Sequence, residues 1–152
     1  LKDPAPYGSL GAEKVRFAAY THIFYSILDT LELCQFVWGP AWTLYGPSEM
    51  VDYVRAVTGW QVSLYELMKV GERRLNMLRL FNAREGFTRK DDALPPKFFK
   101  PLAGTGPTAG TAIDKQEFEA ALDLYYHILG WTADGVPTRA SLVNVGLEWA
   151  AA

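Results

Sequence analysis

The run Ser63-Leu-Tyr-Glu66-Leu-Met-Lys-Val-Gly71-Glu-Arg-Arg74-Leu-Asn-Met-Leu-Arg-Leu-Phe81-Asn-Ala-Arg-Glu-Gly86 sets the architecture of this chain. Leu64, Met68, Gly71, Leu75, Leu78 and Phe81 recur at intervals of three and four, a spacing that stacks side chains on one face of a helix and predicts that this face is buried. Ser63 and Glu66 read as a capping box, in which each side chain accepts a bond from a backbone N–H that the first turn leaves unpaired. Gly86 suits the left-handed residue that closes a helix, and Pro95-Pro96 forbids continuation. The charged stretch Asn82 to Phe98 that follows has too many charges for a core and too many aromatics for a free linker, so it reads as an ordered loop folded over its neighbours.

Outward from this run the same period recurs. From Ala12 to Leu33, the residues Phe17, Tyr20, Phe24, Ile27, Leu31 and Cys34 predict a second helix with a broad aromatic face. Its other stripe carries His22, Ser26, Asp29 and Leu33. For His22 and Ser26, solvent or a neighbouring backbone is a better partner than a ligand. Gln35 to Pro47 breaks twice at Gly-Pro and is read as an aromatic loop without regular structure. Ser48 is expected to cap a short helix through Val57, with Met50, Tyr53, Val54 and Val57 inward and Thr58-Gly59 ending it. Residues 1–11 read as an extended connecting segment, and Pro101 to Ala112 as a surface crossing. Asp114 and Glu117 cap the next helix, with Phe118, Leu122, Tyr125 and Leu129 inward and Gly130 as its stop. A last short helix starts at Pro137-Thr138, buries Leu142 and Val145, and ends at Gly146. No run of β-branched residues alternates with period two, so the expected fold is all-α, a single helical domain over residues 1–152 with about five helices.

Composition excludes several classes of function. The net charge of −2 supplies no positive field for nucleic acid or an anionic membrane. No run approaches the roughly 18 apolar residues of a membrane span, and the start Leu1-Lys-Asp-Pro-Ala-Pro lacks a signal-peptide core, which predicts a cytoplasmic protein. Its first residue is not Met, which suggests a piece of a longer polypeptide. The 49% hydrophobic content, with 14% aromatic residues, leaves apolar surface that another domain would cover. The single cysteine, Cys34, forms no internal disulfide, and one thiolate does not hold a metal that takes three or four protein ligands. By composition alone Cys34 is a buried small hydrophobe. Metal-binding His-Glu-x-x-His and Cys-x-x-Cys motifs, a nucleophile elbow and a dinucleotide fingerprint are absent, so the chain does not read as a self-sufficient enzyme. Arg73, Arg74, Arg79, Arg84, Arg89 and Lys90 interleave with Glu66, Glu72, Glu85, Asp91 and Asp92, which predicts ion pairs on a solvated or interdomain face rather than a phosphate site.

Arg74-Leu-Asn-Met-Leu-Arg-Leu-Phe-Asn-Ala-Arg-Glu-Gly-Phe-Thr-Arg-Lys-Asp-Asp-Ala-Leu-Pro-Pro-Lys-Phe98, together with Tyr125-Tyr126, Gly130-Trp131 and Gly135-Val-Pro-Thr138, closely resembles the C-terminal region of the tungsten-containing aldehyde:ferredoxin oxidoreductases. The resemblance spans residues 12 to 147. It aligns Asp29-Thr-Leu-Glu-Leu-Cys34 with the family's Asp-x-x-Gly-Leu-Cys, whose Asp and Leu contact the pterin of the tungsten cofactor and whose Cys is the last ligand of a 4Fe-4S cluster. It therefore implies that Asp29 and Leu33 bind a tungstopterin or molybdopterin and that Cys34 binds the cluster, with no catalytic residue in this chain. A carboxylate accepts paired N–H bonds from an amino-pyrimidine edge, and a thiolate on the same helix end would put the cluster beside the pterin.

The implied reaction is oxidation of a small aldehyde to a carboxylic acid, with electrons passing to ferredoxin. The remaining cysteines, a second pterin motif and the N-terminal domains would precede Leu1, so the isolated fragment is expected to be inactive. The family's Gly is Glu32 here, and a glycine suggests close backbone approach to the cofactor. Glu32 therefore favours a rival reading, a non-catalytic helical interaction domain that keeps the fold without the cofactor.

Overall fold

The computed structural model describes residues 9–38 and 44–150, and its regular structure there is helical. In chain order the helices are α1 (Ala12–Thr30), α2 (Gln35–Trp38), α3 (Pro47–Thr58), α4 (Leu64–Arg84), α5 (Lys115–Leu129) and α6 (Arg139–Asn144). Single 3-10 turns at Arg89–Asp91 and Pro96–Phe99 order the charged segment after α4, and a third follows α6 at Glu148–Ala150. The fold is all-α, as expected; the additional element is α2, four residues long, inside the segment read as an irregular aromatic loop. Residues 1–8 of the connecting segment, and the first Gly-Pro break at Gly39-Pro40 with Trp42, lie outside the described residues.

The caps follow from the residues that make them. Ser63 Oγ accepts the Glu66 N–H at 3.3 Å while Glu66 Oε2 accepts the Ser63 N–H at 2.7 Å, so α4 begins at the expected capping box. Asp114 accepts the Glu117 N–H at 2.9 Å to open α5, and Thr138 accepts the Ser141 N–H at 3.2 Å to open α6. Gly59 and Gly130 take left-handed backbone (φ 73° and 68°) at the ends of α3 and α5. Helix α3 starts differently from expectation: Gly46 is its cap, held by Glu49 accepting the Gly46 N–H at 2.8 Å, and Ser48 lies inside the first turn.

α1 is the central element, packed chiefly on α4 and next on α5. Its C-terminal half, with Phe24, Ile27 and Leu28, meets Trp38 of α2, Met50, Val51 and Val54 of α3, and Leu67 of α4. Its N-terminal half, with Ala19 and Ile23, meets Tyr126 and Leu129 of α5 and Trp131 just beyond it. A third cluster joins Leu142, Val145 and Leu147 to Leu80 of α4.

Several buried faces are rotated from the expected ones. On α1, Phe17 and Tyr20 are exposed, while Val15, Ala19 and Ile23 are buried. The cause is close packing: α1 and α4 approach until a Cβ on Gly71 would stand 2.2 Å from the Ile23 carbonyl oxygen, and large rings do not fit such seams. On α4, Leu67, Gly71 and Asn76 are buried, and Leu64, Leu78 and Phe81 are exposed. Asn76 faces Trp131; at 100° per residue Leu78 and Phe81 lie about 160° and 140° around the helix from it. Tyr53 and Val57 of α3 are likewise exposed, and Val51 is buried instead. On α5 the most buried ring is Tyr126, not Tyr125.

Candidate functional site

The end of α1 gathers Asp29, Leu33 and Cys34, and the local backbone shows why. Thr30 is the last helical residue, and Leu33 donates its N–H to the Leu28 carbonyl at 2.9 Å, closing the helix in a Schellman-type turn. Such a turn needs one left-handed residue, and Glu32 supplies it at φ 54° with an exposed side chain. A glycine at this position is therefore explained by the turn, without a close approach of the backbone to a ligand. Glu32 keeps that backbone at a cost of about 1 kcal/mol.

Cys34 then opens α2: its carbonyl accepts the N–H groups of Val37 and Trp38 at 3.0 and 3.1 Å. Its thiol is free and its side chain exposed, which corrects the reading of a buried small hydrophobe. The N–H bonds of α2 hold Cys34 at the surface, one turn from the buried Trp38. Among the described residues no three His, Cys, Asp or Glu side chains are placed to hold a metal ion together.

Asp29 occupies the last turn of α1 and is fixed from two directions. Arg74 of α4 pairs with Oδ2 at 3.1 Å, and Gln35 Nε2 donates to Oδ1 at 2.9 Å. The side chain remains 41% exposed, and a carboxylate with one donor on each oxygen keeps acceptor capacity for a further donor. It forms one wall of a cleft of about 420 Å³ between α1 and α4, which His22, Ser26, Gln35 and Arg74 also line. His22, Ser26 and Asp29 thus share one cleft, as their spacing implied. Ser26 is buried, with Arg74 at 3.5 Å from its hydroxyl, and His22 Nδ1 lies 2.6 Å from the Tyr125 hydroxyl. Burial pushes the Tyr125 hydroxyl well above the ordinary tyrosine range. The partner of His22 is thus a tyrosine from α5, rather than solvent or backbone.

Arg74 and Gln35 were not legible as site residues. Arg74 is 45 positions from Asp29 in the chain, and the packing of α4 on α1 brings them together. The only available signal was that Arg74 begins the most distinctive stretch of sequence.

Two arginines of that stretch, Arg79 and Arg89, act as clamps. Arg79 pairs with Asp92 at 2.5 Å and donates to the Gly135 carbonyl at 2.6 Å, with its guanidinium 5.3 Å from the Trp131 ring centre. Tyr126 donates its hydroxyl to the same carboxylate. Burial alone would raise the Asp92 pKa, but the hydrogen bonds from Arg79 and Tyr126, with the Arg79 charge, hold it below the usual value. Tyr126 is pushed up to about 12, by burial first and then by Asp92. Arg89 bridges Glu119 and Asp123 of α5 at 3.0 and 2.5 Å. Arg73, just before that stretch, donates to the Val145 and Gly146 carbonyls at 2.7 and 2.8 Å. These contacts bind α4 and its following loop to α5 and the C-terminal segment.

The sequence and fold have relatives. A family model described as aldehyde ferredoxin oxidoreductase, domains 2 & 3, matches residues 2–147. The tungsten-containing aldehyde ferredoxin oxidoreductase of Pyrococcus horikoshii is 33% identical over 139 residues, covering 90% of this chain and 21% of that protein. The aliphatic sulfonate oxidoreductase, WOR-like subunit, of Pyrococcus furiosus is 27% identical over 125 residues, 78% of this chain and 19% of that protein. The chain thus spans about a fifth of the length of these curated relatives. Among solved structures, the active site complex BamBC of benzoyl coenzyme A reductase in complex with 1,5 dienoyl-CoA matches 97% of this chain and 22% of its own, with a TM-score of 0.74 and 22% identity. That likeness concerns the fold. The match over residues 2–147 makes this chain a member of the aldehyde ferredoxin oxidoreductase family, from the region of its domains 2 & 3.

Proposed function

We propose that this chain is the helical C-terminal domain of a tungstopterin or molybdopterin iron–sulfur oxidoreductase that converts aldehydes to carboxylic acids and passes electrons to ferredoxin. The observation that carries the proposal is the turn ending α1, where Asp29, Leu33 and Cys34 emerge together in a chain of this family. The donor set suits a share of such a site. Asp29 would accept N–H groups of the pterin. The Leu33 N–H is already donated to Leu28 and its side chain packs on the core, leaving its carbonyl oxygen to accept from a ligand. Cys34 would give one thiolate to a 4Fe-4S cluster, whose other ligands come from the rest of the polypeptide. When bound, the metal–pterin and the cluster supply the two-electron oxidation and its division into single electrons.

Asp29 orients and Cys34 anchors; neither moves a proton in this reading. Glu32 no longer favours the rival, a cofactor-free interaction domain, because its backbone takes the geometry that glycine would supply.

The test is metal analysis of the full-length protein captured anaerobically from its source. About four irons per cluster, with tungsten or molybdenum, are expected, and Cys34→Ala should lower the iron. Absence of both iron and heavy metal in the native protein would leave only the interaction domain.

A further inference from the structure

The proposed function leaves unused the first residue of the distinctive stretch, Arg74, although it reaches the one carboxylate in that site. Arg74 comes from the middle of α4, spans to the last turn of α1, and meets Asp29 Oδ2 at 3.1 Å and the buried Ser26 hydroxyl at 3.5 Å. Gln35, the first residue of α2, meets the other carboxylate oxygen at 2.9 Å. Each oxygen of Asp29 is thus held by a different element, which restrains the plane of the carboxylate, and the side chain stays 41% exposed with unused acceptor capacity.

Electrostatics favour an arginine there. The C-terminal end of a helix carries partial negative charge, which disfavours an anion in the last turn, and α1 has no basic residue of its own in that turn. The compensating charge comes from α4. Arg74 sits 35% exposed at the edge of the α1/α4 cleft, where screening is partial.

We infer that Arg74 is a positioning residue for the pterin, holding the Asp29 carboxylate, with Gln35, in the one orientation that presents both oxygens to a pair of ligand N–H groups. This inference rests on the proposed role of Asp29. Residues that orient metal ligands typically cost about 10–100-fold in binding when lost, and a guanidinium that orients a cofactor-binding carboxylate is expected to act in the same way.

The experiment uses the full-length holoenzyme, prepared anaerobically as wild type and as Arg74→Gln, Arg74→Lys and Asp29→Asn. Pterin is read by fluorescence of its oxidised form after gel filtration, heavy metal and iron by elemental analysis. Arg74→Gln should lose about 10-fold or more in pterin retention on dilution while keeping its iron, because Cys34 is untouched. Arg74→Lys should recover part of the loss. Pterin retained by Arg74→Gln but lost by Asp29→Asn would overturn the role of Arg74 and leave the reading of Asp29 intact. Pterin retained by Asp29→Asn would overturn both. Loss of iron together with pterin in Arg74→Gln, unrescued by lysine, would make Arg74 a structural residue and also overturn the inference.

Discussion

Gly71 on α4 lies so close to Ile23 on α1 that a Cβ at residue 71 would stand 2.2 Å from the Ile23 carbonyl oxygen and 2.8 Å from Ile27 Cγ1. In an open helix Gly→Ala is worth about 1 kcal/mol of stability. Here backbone occupies the space, so the sign reverses. Gly71→Ala should destabilise the chain by about 3 kcal/mol, measured by urea unfolding. A variant as stable as the wild type would show that the two helices separate easily.

Asn76 is the buried polar residue at the opposite end of the α4 interface, and it accepts the Trp131 indole N–H at 2.8 Å. Its amide donates to the Glu72 carbonyl at 3.0 Å, so the side chain has partners for both ends. Asn76→Leu alone leaves the indole N–H unpaired and should cost about 1–3 kcal/mol. Adding Trp131→Phe removes the orphaned donor. A double-mutant cycle should therefore find the two losses strongly non-additive; simple additivity would refute the pairing.

Acid and alkali should both act through the Arg79, Asp92 and Tyr126 cluster. The Asp92 pKa is lowered in the folded state, so its contribution is present above the unfolded carboxylate value and is lost as pH falls through the folded value. Stability should decline below about pH 4, and Asp92→Asn should flatten that part of the profile. Tyr126 is raised to about 12, so its contribution is full below the ordinary tyrosine value near 10 and is lost as pH rises towards 12. Ultraviolet titration of the wild type should find Tyr125 and Tyr126 ionising late, and Tyr126→Phe should remove one of these two late transitions.

The left-handed Glu32 yields a prediction with the opposite sign to most substitutions. Glu32→Gly relieves the backbone at φ 54° but adds freedom to the unfolded chain, so the two effects oppose. Relief should win by up to about 1 kcal/mol, raising Tm by a few degrees in a thermal melt. Glu32→Val should lower Tm, because a β-branched residue suits that conformation worst. Equal melts for both variants would contradict the assignment of this turn.

Much of the helical order was legible because its signals are local. Ser63 with Glu66, Asp114 with Glu117, Gly59 and Gly130 each act on backbone groups within a few residues, and their effects do not depend on the rest of the fold. The left-handed turn at Glu32, which ends α1 at Thr30 instead of the expected Leu33, is local too, but a glutamate does not announce that conformation. The family was legible from the long motif beginning at Arg74, with Tyr125-Tyr126, Gly130-Trp131 and Gly135 to Thr138.

Which face of each helix is buried was a different matter. Periodicity places Phe17, Tyr20, Leu78 and Phe81 on stripes, but it does not say which stripe another helix covers. The close crossing at Gly71 and the buried pairing of Asn76 with Trp131 decided that, turning Ala19 and Ile23 inward and leaving the larger rings outside. α2 was missed because four residues are too short to show a period.

The sequence by itself determined the five longer helical segments and the caps at Ser63, Asp114, Gly59 and Gly130, since capping is short-range. Only tertiary structure decided that Arg74 meets Asp29, that Arg79 meets Asp92 and Gly135, and that His22 meets Tyr125. Those contacts join residues 13 to 103 positions apart, and their pairing is set by how the helices pack.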